Sequence, residues 1–217
     1  MRLYLSSYKL GNHSQELIKL TGVNAKIAII GNASDGYGNN KERRESIKRQ
    51  ESALSNIGLI PKEIDLRKYF NNKEKLEKKL REFKAVWVKG GNTFVLRKAM
   101  KLSGFDKIIK KMLKNDEIVY SGFSAGWCIL SKTLHGLETV DHPNETPKGY
   151  PKKIIWEGLG LISYSAAPHY KSNHPESAGV DKEILFYKEK NMPYKALRDG
   201  EVIVVNGSKE KIFRNKK

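Results

Sequence analysis

Ser124 is the residue of this chain best placed to do chemistry. It is the middle of Gly122-Phe123-Ser124-Ala125-Gly126, a G-x-S-x-G pattern that follows an apolar stretch at 118–120 and leads into another at 127–130. A strand that runs into a helix through such a turn lifts the serine hydroxyl clear of the sheet. It also turns the next backbone N–H groups toward whatever the hydroxyl attacks. Gly122 and Gly126 remove side chains where the two segments crowd the turn. The serine is held in a backbone conformation costing about 1–3 kcal/mol, a strain that collects at functional sites. The chemistry this suits is attack on a carbonyl carbon, with an acyl-serine between two easier steps.

A serine hydroxyl is protonated at neutral pH and needs a base, most often histidine. The chain has five: His13, His135, His142, His169 and His174. His169 is the best placed, just past an apolar segment and after Pro168, which fixes the chain's exit. His174 precedes Pro175 at a helix start and reads as a capping or loop residue, and His135 and His142 fall in a loop region. The base in turn needs a carboxylate to hold its tautomer. Glu138, Asp141, Glu145 and Glu157 lie between Ser124 and His169, and the chemistry of the residues alone does not choose among them. An oxyanion hole needs two backbone donors. Ala125, directly after the serine, supplies one, and Gly91 or Asn92 in Gly90-Gly91-Asn92 could supply the other. The plainer reading of that run is a helix start with Asn92 or Thr93 as its cap. Its spacing is neither G-x-G-x-x-G nor a P-loop, so it does not mark a nucleotide site.

These residues need a scaffold, and the pattern around them supplies one. Strands are expected at 2–7, 26–30, 63–66, 85–89, 118–121 and 161–166. Helices are expected at 14–20, 41–57, 73–83, 93–103, 105–113 and 175–189. The runs Lys26-Ile27-Ala28-Ile29-Ile30 and Ala85-Val86-Trp87-Val88 are apolar on both faces, as in a parallel sheet covered on both sides. The alternation predicts an α/β fold: a doubly wound, mostly parallel sheet with helices on both faces. Small antiparallel strands are expected near the C-terminus at 195–197, 202–206 and 211–214. In such folds the site lies beyond the carboxyl ends of the strands. The runs 31–34, 90–93, 122–126 and 168–170 are all expected on that rim.

Composition sets the outer limits. The 217 residues, 39% hydrophobic, suit one domain over 1–217. A single cysteine, Cys128, excludes an internal disulfide framework and a cysteine-rich zinc site. There is no run of about 18 apolar residues to span a membrane. The N-terminus is too short and polar for a signal peptide, so a cytoplasmic protein is expected. Lys and Arg number 41 against 24 Asp and Glu, a net charge of +17. The cations are spread along the chain, and the densest run, 41–49, is interleaved with glutamates like a solvated helix face. Nucleic acid is therefore not the expected partner.

Taken together, Lys89-Gly90-Gly91-Asn92-Thr93-Phe94, Ser121-Gly122-Phe123-Ser124-Ala125-Gly126, Val140-Asp141-His142-Pro143 and Pro168-His169-Tyr170 resemble, in that order, the peptidase E (aspartyl dipeptidase) and cyanophycinase family of serine peptidases. That family has a class I glutamine amidotransferase-like fold with serine in place of the nucleophilic cysteine. The resemblance implies Ser124 as nucleophile, His169 as base and Asp141 as the orienting acid, with Glu138 and Glu157 as alternatives. It implies Gly91 and Ala125 as oxyanion donors and Asn92 as a substrate-binding residue. The implied activity is hydrolysis of a small peptide, such as an Asp-X dipeptide, through an acyl-enzyme. No metal or organic cofactor is implied, and a homodimer is compatible with it. Lys89, Arg97, Lys171 or Arg198 could supply the positive charge an acidic substrate needs.

Two rivals share some of these features. An α/β-hydrolase esterase shares G-x-S-x-G, but such a chain is usually longer and carries a His-Gly-Gly-Gly-type loop. A non-catalytic amidotransferase-like domain that binds a ligand or regulates a partner would not need both Ser124 and His169. Glutaminase chemistry is disfavoured because Cys128 lies beyond the turn and reads as core.

Overall fold

The computed structural model describes residues 1–36 and 40–215. Its frame is a seven-stranded sheet of β1 (Arg2–Ser6), β2 (Lys26–Ile30), β3 (Ile60–Glu63), β4 (Ala85–Val88), β5 (Val119–Phe123), β8 (Val202–Asn206) and β9 (Lys209–Phe213), in the order β3-β2-β4-β5-β1-β8-β9. The first five strands in that order run parallel. β8 is antiparallel to β1, and β9 is antiparallel to β8.

Alternate side chains of each strand point to opposite faces, and here both faces are buried. Leu3, Leu5, Ala28, Ile30, Val86, Val88 and Tyr120 pack on one side with α3 (Lys73–Leu80), α4 (Thr93–Ser103), α5 (Phe105–Lys114) and α6 (Ala125–Cys128). Tyr4, Ile27, Ile29, Trp87, Val119 and Phe123 pack on the other with α1 (Ser14–Thr21) and α2 (Asn40–Asn56). This is the doubly wound α/β architecture expected from the alternating pattern. Among the described residues no helix is long and apolar enough to cross a membrane.

Three elements differ from expectation. β3 ends at Glu63, where a strand was expected to begin. Pro61 fits only an edge strand, and Asp65 accepts a hydrogen bond from the Arg67 N–H and starts a 3₁₀ turn over Leu66–Tyr69. The strand expected at 161–166 shrinks to β6 (Ser165–Ala167), because the chain before it hydrogen-bonds along residues 129–131 instead. Finally, β7 (Tyr194–Ala196) is not an antiparallel C-terminal strand. It pairs parallel with β6 in a separate two-stranded sheet, with α7 (Ser177–Glu189) as the crossover that parallel strands require.

The carboxyl ends of β1, β2, β4 and β5 meet at one rim. They deliver Ser7-Tyr8-Lys9, the 3₁₀ turn Asn32–Ser34, Lys89-Gly90-Gly91 and Ser124. Residue 169 arrives at the same rim from β6 and residue 199 from β7.

Candidate active site

β5 is a central strand, hydrogen-bonded to β4 on one side and β1 on the other, and Ser124 is the next residue. Its backbone is at φ 49°, ψ −119°, outside any comfortable region for a residue with a side chain. The cause of the turn's sharpness is β4. A Cβ at Gly126 would lie 2.1 Å from the Val88 carbonyl oxygen, and one at Gly122 would lie 2.7 Å from the same atom. The Ser124 carbonyl accepts hydrogen bonds from the N–H groups of Trp127 and Cys128 at 2.8 and 2.9 Å, which starts α6 at once. The Tyr120 hydroxyl donates to the Gly126 carbonyl at 2.6 Å and ties the far end of the turn back to the strand. Cys128 is buried in the core, as expected, and burial pushes its thiol pKa well up, away from reactivity.

His169 is 1% exposed and has a positive φ of 61°. Its N–H donates to Ser7 Oγ at 2.8 Å, and its Nδ1 meets Asp199 Oδ1 at 2.8 Å. Ser7 Oγ donates to that same carboxylate oxygen at 2.8 Å, so two donors converge on Asp199. Burial works to raise the Asp199 carboxyl. Its hydrogen bonds from His169 and Ser7, together with the His169 and His174 charges, outweigh burial and hold it below the ordinary carboxylate pKa. An ionised Asp199 holds a proton on Nδ1, so the neutral form of the ring carries its lone pair on Nε2, the atom a general base uses.

Ser124, His169 and Gly91 line one cavity of about 210 Å³ with Tyr8, Phe123 and His174. His174 stacks on His169, centroids 3.6 Å apart, and its Nδ1 accepts from the Glu176 N–H. It is thus both the loop residue expected and a wall of the site. Burial and the neighbouring His169 lower its pKa. Lys9, Arg49, Lys89 and Glu176 supply the cavity's charge. A larger cavity of about 550 Å³ adjoins it and shares Tyr8, Lys9, Arg49 and Gln50.

The remaining expectations separate cleanly. Asp141 is not at His169; the carboxylate there is Asp199. Asp141 is 8% exposed and accepts from the Thr93 N–H at 2.8 Å, at the N-terminus of α4. Burial raises its pKa to about 6 against the pull of that hydrogen bond. Glu138 accepts from the Gly136 N–H, while Glu145 and Glu157 offer backbone carbonyls to Lys98 and Arg97. Asn92 is not directed at substrate either. Its Oδ1 caps α4 through the N–H groups of Phe94 and Val95, its Nδ2 donates to the His142 carbonyl, and its own N–H donates to the Ala33 carbonyl. With the Asn92 N–H engaged, Gly91 is the residue of that pair on the cavity wall. At φ 142°, with a Cβ position 2.6 Å from the Ala33 carbonyl oxygen, position 91 suits only glycine.

Of the expected cations only Lys89 reaches the cavity. Arg97 is buried on Asp106 at 3.1 Å, Lys171 sits over the Tyr170 ring, and Arg198 lines a separate groove with Arg214. Tyr8, Lys9, Arg49, Glu176 and Asp199 are site residues that sequence reasoning missed.

His169, His174 and Glu176 are the one set of three or more His, Cys, Asp or Glu residues among the described ones whose ligand atoms all lie within 4.8 Å of one another. The two rings are parallel to within 7°, so their in-plane lone pairs do not converge on one ion. Three cations line the same cavity and oppose a fourth.

Comparison with known proteins places the fold in a family. A "Peptidase E" of Streptomyces coelicolor is 30% identical over 166 residues, 74% of this chain and 62% of the relative. A "probable alpha-aspartyl dipeptidase" of Drosophila melanogaster is 29% identical over 138 residues, 61% of this chain and 54% of the relative. An uncharacterized peptidase of Listeria monocytogenes is 29% identical over 157 residues, 72% of each chain. A solved structure of a Listeria monocytogenes protein assigned to peptidase E shares the fold, with a TM-score of 0.82 at 23% identity over 99% of this chain and 98% of that one. The model of peptidase family S51 matches residues 5–213, from within β1 to the end of β9. The chain therefore belongs to peptidase family S51 and is a serine peptidase.

Proposed function

We propose that this serine peptidase releases an N-terminal acidic residue from small peptides, using Ser124 as nucleophile, His169 as general base and Asp199 as the carboxylate that orients it. The observation that carries the reading is the 2.8 Å contact between His169 Nδ1 and Asp199, beside a strained serine on the wall of the same cavity. His169 Nε2 takes the Ser124 proton as Oγ attacks the scissile carbonyl. The imidazolium then gives that proton to the leaving amine as the C–N bond breaks. A water, deprotonated by the same nitrogen, hydrolyses the acyl-serine. Asp199 keeps its negative charge throughout and stabilises the imidazolium. The backbone N–H groups of Ala125 and Gly91 are the donors for the tetrahedral oxyanion.

The acidic preference rests on Lys9, Arg49 and Lys89 around the cavity, and on the aspartyl specificity in the name of the Drosophila relative. Lys89 is the best presented of the three. Its Nζ donates to Ser34 Oγ at 2.6 Å and to the Gly90 carbonyl at 3.0 Å, which fixes the ammonium at the cavity edge.

A serine-directed phosphonate and L-aspartyl-p-nitroanilide test the proposal on one preparation. Wild type is expected to label at Ser124 and to hydrolyse the anilide. Ser124→Ala and His169→Ala are expected to lose labelling and about 10⁴-fold or more in kcat, with Ser124→Ala melting like wild type. Labelling elsewhere, or turnover that survives in Ser124→Ala, would sink it. Equal kcat/KM on L-alanyl-p-nitroanilide would remove the acidic preference and leave the triad standing.

A further inference from the structure

The cavity's charges are lopsided. Lys9, Arg49 and Lys89 line it beside Ser124 with one carboxylate, Glu176, the residue that precedes α7 as its N-cap. The Glu176 side chain is 39% exposed, and its Oε2 lies 3.7 Å from His169 Nε2, too long for a hydrogen bond. The carboxylate therefore sits next to the base without being consumed by it.

A free peptide N-terminus is an ammonium with a pKa of about 8 and is largely charged at neutral pH. In a substrate cleaved after its first residue, that ammonium lies only two bonds from the scissile carbonyl carbon, about 2.5 Å away. It must enter the space beside Ser124 and His169, where three lysine or arginine side chains repel it. A peptide cleaved in its interior would place a neutral amide at the same point and would gain nothing from a carboxylate there.

Building on the acidic-residue reading above, we propose that Glu176 binds the substrate's free α-ammonium and so restricts the enzyme to unblocked N-termini. The cations take the acidic side chain, and Glu176 takes the charge of opposite sign. The site thus recognises a zwitterionic first residue rather than an anion as such. Glu176 is a specificity residue in this assignment. Proton transfer remains with His169.

The test compares L-aspartyl-p-nitroanilide with succinyl-p-nitroanilide, which keeps the carboxylate and lacks only the amine. Wild type is expected to prefer the amine by about 100-fold in kcat/KM. In Glu176→Gln the amine substrate is expected to fall about 10- to 100-fold, the range for a hydrogen bond to a charged group, while the des-amino substrate changes little. Glu176→Asp should restore part of the preference. An equal fall on both substrates would overturn the proposal and place Glu176 on His169 instead. No fall on either substrate would overturn it outright. The same ratio on L-alanyl- and propionyl-p-nitroanilide keeps the two readings apart. Failure of the acidic side-chain reading appears as no preference for Asp over Ala. Failure of the ammonium assignment appears as a ratio that Glu176→Gln leaves alone. The side chain is partly exposed and Gln is isosteric, so equal melting curves are the folding control.

Discussion

The nucleophile and the base reach this site by two different kinds of support. Ser124 hangs from β5, a strand bonded to neighbours on both sides, and its turn is shaped by the backbone of β4 pressing on Gly122 and Gly126. His169 follows β6, a three-residue strand whose one partner is β7 in a small sheet of its own. Backbone bonds from Ser7 and Asn12 to Glu201 and Gly200 tie the Asp199 loop to the end of β1, and a side chain joins His169 to both. Ser7, at the end of β1, accepts from the His169 N–H and donates to Asp199, across separations of 162 and 192 residues. Backbone packing sets the nucleophile, and a small buried polar network sets the base. The first is governed by sterics and is stiff. The second depends on each member being satisfied and is correspondingly easy to spoil with one atom.

The largest expected effect separates the two arms at the carboxylate. Asp199→Asn should lower kcat about 10³- to 10⁴-fold, because the amide no longer fixes the Nδ1–H tautomer or balances the imidazolium. Asp141→Asn should leave kcat within a few-fold and act on stability instead. The folded pKa of Asp141, about 6, lies above its ordinary value of 3.8, so the folded protein holds this proton longer than the unfolded chain. That contribution is full below pH 4 and is lost as pH rises through 6, a difference of about 3 kcal/mol. Wild type should therefore lose stability relative to Asp141→Asn across that window in denaturant melts. A kcat collapse in Asp141→Asn with normal kcat in Asp199→Asn would reverse the assignment of the two carboxylates.

That pair also marks where sequence reasoning stops. The parallel strands and their helices were legible because burial on both faces leaves continuous apolar runs, and Gly122, Ser124 and Gly126 were legible because a backbone contact 2.1 Å from a missing Cβ admits only glycine. Asp199 left no such trace. It sits in Arg198-Asp199-Gly200, which reads as a turn, and its tie to His169 comes from the crossing of α7 between β6 and β7. Asp141 stood in the chain between Ser124 and His169, and the resemblance favoured it, but buried carboxylates also cap helices and Asp141 does so for α4. Asn92 illustrates the same point. Its type suits a binding residue and a cap equally, and the neighbouring N–H groups of Phe94 and Val95 decide for the cap. Tyr8 and Lys9 were missed because an exit from β1 carries no pattern until β5 and β6 are known to converge there.

Next in size is the stiffness of the elbow. Gly126→Ala places a methyl against the Val88 carbonyl, which belongs to a buried strand and cannot move without disturbing β4. The expected loss is roughly 3 kcal/mol or more in denaturant melts, with activity falling alongside. Ser7→Ala, on the other arm, should melt closer to wild type and still lose activity, since Asp199 would keep its bond to His169 but lose the hydroxyl that helps to hold it. A Gly126→Ala variant with wild-type stability would show that the turn adapts, and the contrast between a stiff arm and a networked one would fail.

The smallest expected effect asks what the strand-borne arm does besides carry the nucleophile. Lys89 leaves β4 into the cavity, and burial, with the charges of Arg49 and Arg43 added, lowers its pKa to about 8. Below pH 8 it is a cation able to hold a substrate carboxylate. As pH rises through 8 it loses the proton and that attraction. The des-amino substrate succinyl-p-nitroanilide has no amine of its own to titrate, so an alkaline fall in its kcat/KM reports the free enzyme. About a tenfold fall is expected above pH 8, the loss of one partly solvated charge-assisted hydrogen bond. Propionyl-p-nitroanilide, which lacks the carboxylate, should show no such fall, and Lys89→Arg should abolish it by keeping the charge at every pH measured. The same fall on both substrates, or its survival in Lys89→Arg, would take Lys89 out of recognition. If the fall behaves as expected, the division between the arms extends from catalysis to specificity. Lys89, anchored to Ser34 in the turn that follows β2, holds the side-chain carboxylate, and Glu176, on the histidine arm, holds the ammonium. The first residue of the substrate would then bridge the two supports that carry Ser124 and His169, so that only a correctly charged N-terminus draws them together on the scissile carbonyl.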